Sequence, residues 1–102
     1  MSPTELSLRE ARKRYQYAEV VEHWNPFARR RNDLLGLWDI LAIDHAGTTV
    51  IQCTSASNMS ARIKKIADHA NTYYSRMAGW RMLVWGWKKV DGRWTLKETD
   101  VS

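Results

Sequence analysis

Leu34-Leu35-Gly36-Leu37-Trp38-Asp39-Ile40-Leu41-Ala42-Ile43 leads, through His45-Ala46-Gly47, into Thr48-Thr49-Val50-Ile51-Gln52-Cys53-Thr54-Ser55. The first run is almost continuously apolar, the pattern of a central strand covered on both faces. The second is rich in β-branched residues, and the short connection joins the two as a hairpin. One acid, Asp39, interrupts the first run, where a charge is desolvated unless a partner offsets it. Alternation along the second run puts Val50, Gln52 and Thr54 on one face and Ile51, Cys53 and Ser55 on the other. The hairpin can therefore bring Gln52 and Thr54 beside Asp39.

A hard cation such as Mg²⁺ takes oxygen ligands from carboxylates, side-chain amides and backbone carbonyls. Asp39, the Gln52 amide oxygen and the Cys53 backbone carbonyl form such a set. Two plainer readings stay open. Asp39 would equally serve as a carboxylate bonded to loop amides at a strand end, and Gln52 and Thr54 as partners of each other or of cross-strand neighbours.

Downstream, Met59, Ile63, Ile66, Ala70, Tyr73 and Met77 recur at three- and four-residue steps, predicting one helix that Ser57 or Asn58 caps and Gly79 ends. Ser57, Asn58 and Ser60 surround its first turn, whose free amides and positive dipole end favour an anion. Arg62 flanks the apolar stripe within reach of a phosphate beside a metal. Lys65 lies further round the same side, with His69 between them. Lys64 points nearly opposite the stripe and reads as a solvated or DNA-backbone contact. Trp80 to Val90 reads as a strand, Asp91-Gly92 as a two-residue turn and Arg93 to Val101 as the return strand.

Upstream, Ser2 or Thr4 can cap a helix over about residues 4–14, with Pro3 tolerated in its first turn. Residues 15–24 carry both signals. Leu8, Ala11, Tyr15, Ala18 and Glu22 continue a helical spacing, whereas Tyr15, Tyr17, Val20, Val21 and Trp24 favour a strand, which we place near 16–24. Asn25-Pro26 breaks the pattern, and a basic loop runs through Arg31. The order is helix, three strands, helix, two strands: an α/β domain with a mixed sheet.

At 102 residues the chain is long enough for one core and too short for two, so residues 1–102 form a single domain. Sixteen Lys and Arg against eleven Asp and Glu leave a formal charge of +5, which suits a polyanionic partner. Arg29, Arg30 and Arg31, just ahead of Asp33, are placed for phosphate contacts near the metal site. Cys53 is the only cysteine, which excludes an intrachain disulfide and a thiolate-rich metal site. No apolar stretch reaches the length of a membrane span and no secretory segment opens the chain, so we expect a cytoplasmic protein with no membrane partner.

These residues resemble the PD-(D/E)XK superfamily, the restriction-endonuclease-like nucleases that include Holliday-junction resolvases. That family sets an acid on one strand of a hairpin and Glu-x-Lys on the next, followed by a helix. The matching segments are Asp33 to Ile40 and Val50 to Ser55. The chain is more similar to a small phage and bacterial branch carrying Gln-x-Thr-Ser, then an Asn and an Arg-x-x-Lys helix. Here these are Gln52 to Ser55, Asn58 and Arg62 to Lys65, and the likeness spans roughly residues 15 to 101.

The resemblance implies a restriction-endonuclease-like αβββαβ core, a mixed central sheet flanked by helices with a C-terminal hairpin strand. It also implies Mg²⁺- or Mn²⁺-dependent phosphodiester hydrolysis and DNA as substrate. Asp39 and Gln52 would hold the metal, with Glu19 or Glu22 from the preceding element as a further ligand. Gln52 stands where the family has an acid and Thr54 where it has lysine, so Lys65 or Arg62 would supply the missing positive charge. Ser55, Asn58 and Lys64 would join the arginines on the DNA. A domain this small carries one cutting centre, so cutting both strands would call for a homodimer. Two rival readings are a catalytically degenerate DNA-binding or accessory protein of the same fold, and a protein-interaction module using Trp85 and Trp87, which share one strand face.

Overall fold

Ser2 opens the first helix, α1 (Pro3–Arg14): its hydroxyl accepts the Glu5 N–H at 3.2 Å, Pro3 takes the first turn, and Arg12, Lys13 and Arg14 lie at the negative dipole end. The structure is a computed structural model describing residues 1–102, the side chain of Arg31 excepted. After α1 come β1 (Tyr17–Val20), a short pair β2 (His23–Asn25) and β3 (Arg30–Asn32), then β4 (Ile40–Asp44) and β5 (Gly47–Ser55). A 3-10 turn (Ala56–Asn58), α2 (Met59–Asp68) and α3 (Thr72–Met77) lead to β6 (Arg81–Val90) and β7 (Arg93–Asp100).

The main sheet has the order β1-β4-β5-β6-β7, and only the β5–β6 pair is parallel. The chain is thus a mixed α/β fold with a five-stranded sheet between helices. On the α1 face, Ala11, Ala18, Ile40, Ala42, Ile51, Cys53, Leu83 and Trp85 form one buried cluster. On the α2 face, Leu37, Trp38, Val50, Met59, Ile66, Met82 and Val84 form the other. The alternation expected for β5 holds: Ile51 and Cys53 belong to the first cluster and Val50 to the second. Gly86 permits close packing on that second face, because a Cβ there would collide with the Met59 side chain and approach the Ala56 Cα to 3.0 Å.

Three expectations need correction. The apolar run 34–43 is not one strand. Leu35 and Gly36 take positive φ (58° and 73°), Leu34 and Trp38 exchange backbone hydrogen bonds at 3.0 Å, and the strand starts only at Ile40. The strand near 16–24 stops at Val20, and the remainder starts the β2–β3 pair, a two-stranded arm outside the main sheet. The helix from 57 to 77 is broken at residues 69–71, and neither proposed cap bonds it: Ser57 pairs with Ser55, and Asn58 makes no side-chain cap bond.

The first and third of these irregular segments meet. Asn71 Nδ2 donates to the Leu35 carbonyl at 2.9 Å, and the His69 ring packs where a Gly36 Cβ would stand. Past the break the helical face turns, so α3 buries Thr72 and Ser75 while Tyr73 and Met77 are exposed. Trp85 and Trp87 are buried, their indole N–H groups donating to Glu98 Oε1 and to Ser7 Oγ. That leaves no Trp85–Trp87 surface for a partner. Among the described residues no helix is long and apolar enough to cross a membrane.

Candidate metal centre

The centre forms where β4 begins. Val21 N–H donates to the Asp39 carbonyl at 2.8 Å and Asp39 N–H to the Ile51 carbonyl at 3.0 Å, so the Asp39 backbone extends the ladder by one residue. β5 continues past this point, and its next inward amide, Cys53 N–H, meets no strand. The Asp39 carboxylate supplies the acceptor, Oδ2 standing 2.7 Å from that nitrogen. A strand residue's N–H and C=O point to the same side, so the Cys53 carbonyl faces this gap as well.

Two further acids converge here. Glu22 follows β1 and Asp33 follows β3, so they stand at the two ends of the β2–β3 arm. Carboxylate oxygens of Glu22, Asp33 and Asp39 all lie within 4.8 Å of one another. Asp33 reaches Asp39 because of the tight turn between them. Six residues of extended chain would have set them about 20 Å apart. Asp33 is the ligand candidate that sequence reasoning missed. Its signal was Gly36, a turn residue inside a run read as strand.

Burial pushes the Asp39 carboxyl up to about 7. The neighbouring Asp33 and Glu22 charges add to this, and the Cys53 N–H works against it. Three carboxylates are thus gathered at one point, the Asp39 carboxylate buried and the other two half-buried. All-oxygen, carboxylate donors suit a hard cation such as Mg²⁺, Mn²⁺ or Ca²⁺ rather than one preferring thiolate or imidazole. On an octahedral Mg²⁺ adjacent ligand oxygens stand about 3.0 Å apart and opposite ones about 4.2 Å, so the carboxylates would draw in by up to roughly 2 Å on binding. The residues fit such an ion.

The other expected site residues divide. Gln52 is buried beside the centre, but both ends of its amide are engaged: Nε2 donates to the Leu37 carbonyl, and Oε1 accepts from Arg62 Nη1 at 2.7 Å. The structure therefore sets Gln52 as a holder of Arg62. Thr54 is buried opposite Gly86. Burial pushes the Cys53 thiol up, so it stays neutral. Glu19 is bonded to the Tyr17 hydroxyl at 2.6 Å, away from the cluster, which leaves Glu22 as the acid from the preceding element.

Among the cations, Arg30 and Lys65 line an open pocket of about 430 Å³ with Asn32, Asp33 and Gly36. Arg29 is exposed with φ 52°, and Asn58 and Lys64 are exposed as well. Ser55 is bonded to Ser57 through their hydroxyls at 3.1 Å. The phosphate contact expected of Arg31 lies outside the described residues. No family model, curated protein or solved structure matches this chain.

Proposed function

We propose that the chain is a divalent-metal-dependent DNA endonuclease or resolvase built on a restriction-endonuclease-like core. The observation that carries this reading is the convergence of Glu22, Asp33 and Asp39 from three separate segments at one strand end, beside a pocket lined by Arg30 and Lys65. The three carboxylates, with the Cys53 carbonyl facing the same gap, would hold Mg²⁺ or Mn²⁺. Such an ion, when bound, activates water and offsets charge on a phosphodiester.

The chain's own groups do the rest. Arg30 and Lys65 receive a phosphate next to Asp33, and the flexible ammonium of Lys65 takes the place of the lysine that Thr54 cannot supply. Arg62 is the less apt substitute, since Gln52 holds its guanidinium. The Cys53 N–H holds the Asp39 carboxylate to β5, which keeps one oxygen of the set in a fixed position.

The test is cleavage of labelled linear duplex, flap, four-way junction and single strand with Mg²⁺, Mn²⁺ or EDTA. Asp33→Asn and Asp39→Asn are run beside the wild type. Asparagine at 39 retains an acceptor for the Cys53 N–H, so that variant isolates the charge. We expect metal-dependent cleavage that falls more than about a hundredfold in either variant, beyond the loss usual for an outer-shell partner. Salt-sensitive binding with no cutting under any metal would sink the nuclease and leave a DNA-binding protein with a silent centre. The engaged Gln52 amide is the observation favouring that second reading.

A further inference from the structure

The arm between Glu22 and Asp33 carries side chains that the metal centre does not use. Phe27, at its tip, is 97% exposed, and Trp24, on β2, is 59% exposed. An open phenylalanine on a loop that collapses onto the surface would mean little. Here the loop is held out: Asn25 Oδ1 accepts the N–H groups of Phe27 and Ala28 at 3.0 and 3.1 Å, and Pro26 fixes the intervening φ. Among the described residues the arm pairs with itself through three residue pairs and joins no strand of the main sheet.

Its charge is one-sided. Residues 23–32 contain Arg29, Arg30 and Arg31 and no acid. Arg30 and Asn32 face the pocket beside Asp33. Trp24 pairs with residue 31 rather than with Arg30 or Asn32, so it projects from the opposite face of the hairpin. The arm therefore offers a cationic side to the centre and apolar rings at its tip and far face.

We propose that this arm is a base-stacking probe: Phe27 and Trp24 receive unpaired nucleobases, and the substrate class of the centre is single-stranded or branched DNA rather than intact duplex. This rests on the nuclease reading for the centre and adds what the centre acts upon. Flat aromatic rings stack any base, but only one whose face is free, so an intact duplex offers them nothing. Arginine among the rings neutralises the accompanying backbone. At about 3.3 Å per residue, the tip lies roughly 10–15 Å along the arm from Glu22. At the rise of stacked bases, about 3.4 Å, that length spans about three to four nucleotides.

The experiment measures fluorescence anisotropy in EDTA, where nothing is cut, with a labelled single strand, a four-way junction and a perfect duplex. The wild type is compared with Phe27→Ala and Trp24→Ala, both at exposed positions outside the core. Each ring lost should weaken single-strand and junction binding roughly tenfold and duplex binding less than about twofold. Equal loss on all three DNAs, or no loss on any, overturns the proposal. So does unchanged DNA binding with altered self-association or vesicle binding, which would make the arm a docking surface for a second copy or a lipid. The assay is independent of the nuclease reading: ring-dependent single-strand binding without cleavage would keep the probe and lose the enzyme. Cleavage that needs Asp33 while the ring variants bind normally would do the reverse.

Discussion

The β6–β7 and β2–β3 hairpins carry similar side chains and hold them in opposite ways. The first has eight residue pairs around a two-residue turn, Asp91-Gly92, with both residues at positive φ, and β6 is also paired along β5. Its exposed ring, Trp94, has the Lys89 ammonium over it at 5.3 Å. The second has three pairs, a four-residue loop and a phenylalanine at its tip almost wholly in solvent. A lone two-stranded hairpin is marginal in water. Sheet pairing sustains the first. The second carries Glu22 and Asp33 at its base, where a cation drawn to the acidic cluster would tie the two ends together.

Amide hydrogen exchange should show this contrast most strongly. Without metal, amides of residues 23–32 should exchange roughly a thousandfold or more faster than those of Leu83 to Trp87, because a three-pair arm opens locally whereas β6 opens only with the whole fold. Adding Mg²⁺ or Ca²⁺ should slow the arm, with β6 slowed by no more than the stabilisation that metal binding gives the whole fold. An arm that exchanges at the same rate with and without metal would break the link between them.

A core substitution on the other hairpin should act in the converse way. Gly86→Ala drives a Cβ into the Met59 side chain and should destabilise the fold by about 1–3 kcal/mol. That corresponds to a fall in Tm on the order of 5–15 °C. Metal-dependent protection of the arm should persist below that temperature. Its disappearance would mean that the two hairpins are not independent.

The smallest expected effect is on pH dependence. The Asp39 carboxyl is raised to about 7 in the folded chain, so between about pH 4 and pH 7 the folded state binds more protons than the unfolded one. Stability in EDTA should therefore be greatest below that window and decline as pH rises through it. Asp39→Asn should flatten the decline and raise Tm at pH 8. A metal-free Tm that climbs from pH 5 to pH 8 in the wild type but not in Asp39→Asn would contradict the assignment.

What could be read without coordinates follows the same division. Local signals made α1, β5 and the Asp91-Gly92 hairpin legible: a serine cap, a β-branched run and a turn pair that tolerates positive φ. The arm was seen only as a basic loop after Asn25-Pro26. The turn at 34–38 and the break at 69–71 were hidden because neither is local. Asn71 bonds the Leu35 carbonyl and His69 covers Gly36, so each irregularity is stabilised by the other across 30 residues or more of chain. Of the centre, Asp39 and Glu22 were legible as acids in telling places. Asp33 was not, since an unbroken strand would have carried it far away. Gln52 was singled out as a polar residue that had to matter, although its oxygen points to Arg62.

The Asp39 carboxylate does a peptide carbonyl's work by accepting the Cys53 N–H just beyond the first residue of β4. Selection would keep an acceptor at that position in any descendant, including one whose chemistry had lapsed, because a buried amide without a partner destabilises the sheet. An aspartate or asparagine at position 39 in a related chain is therefore a poor marker of a working enzyme. Position 33 is the better marker: its carbonyl makes the bond to Gly36 N–H, which leaves the carboxylate to the centre. On the proposed nuclease reading, drift at 33 beside constancy at 39 would mark the loss of activity in a lineage without a single assay.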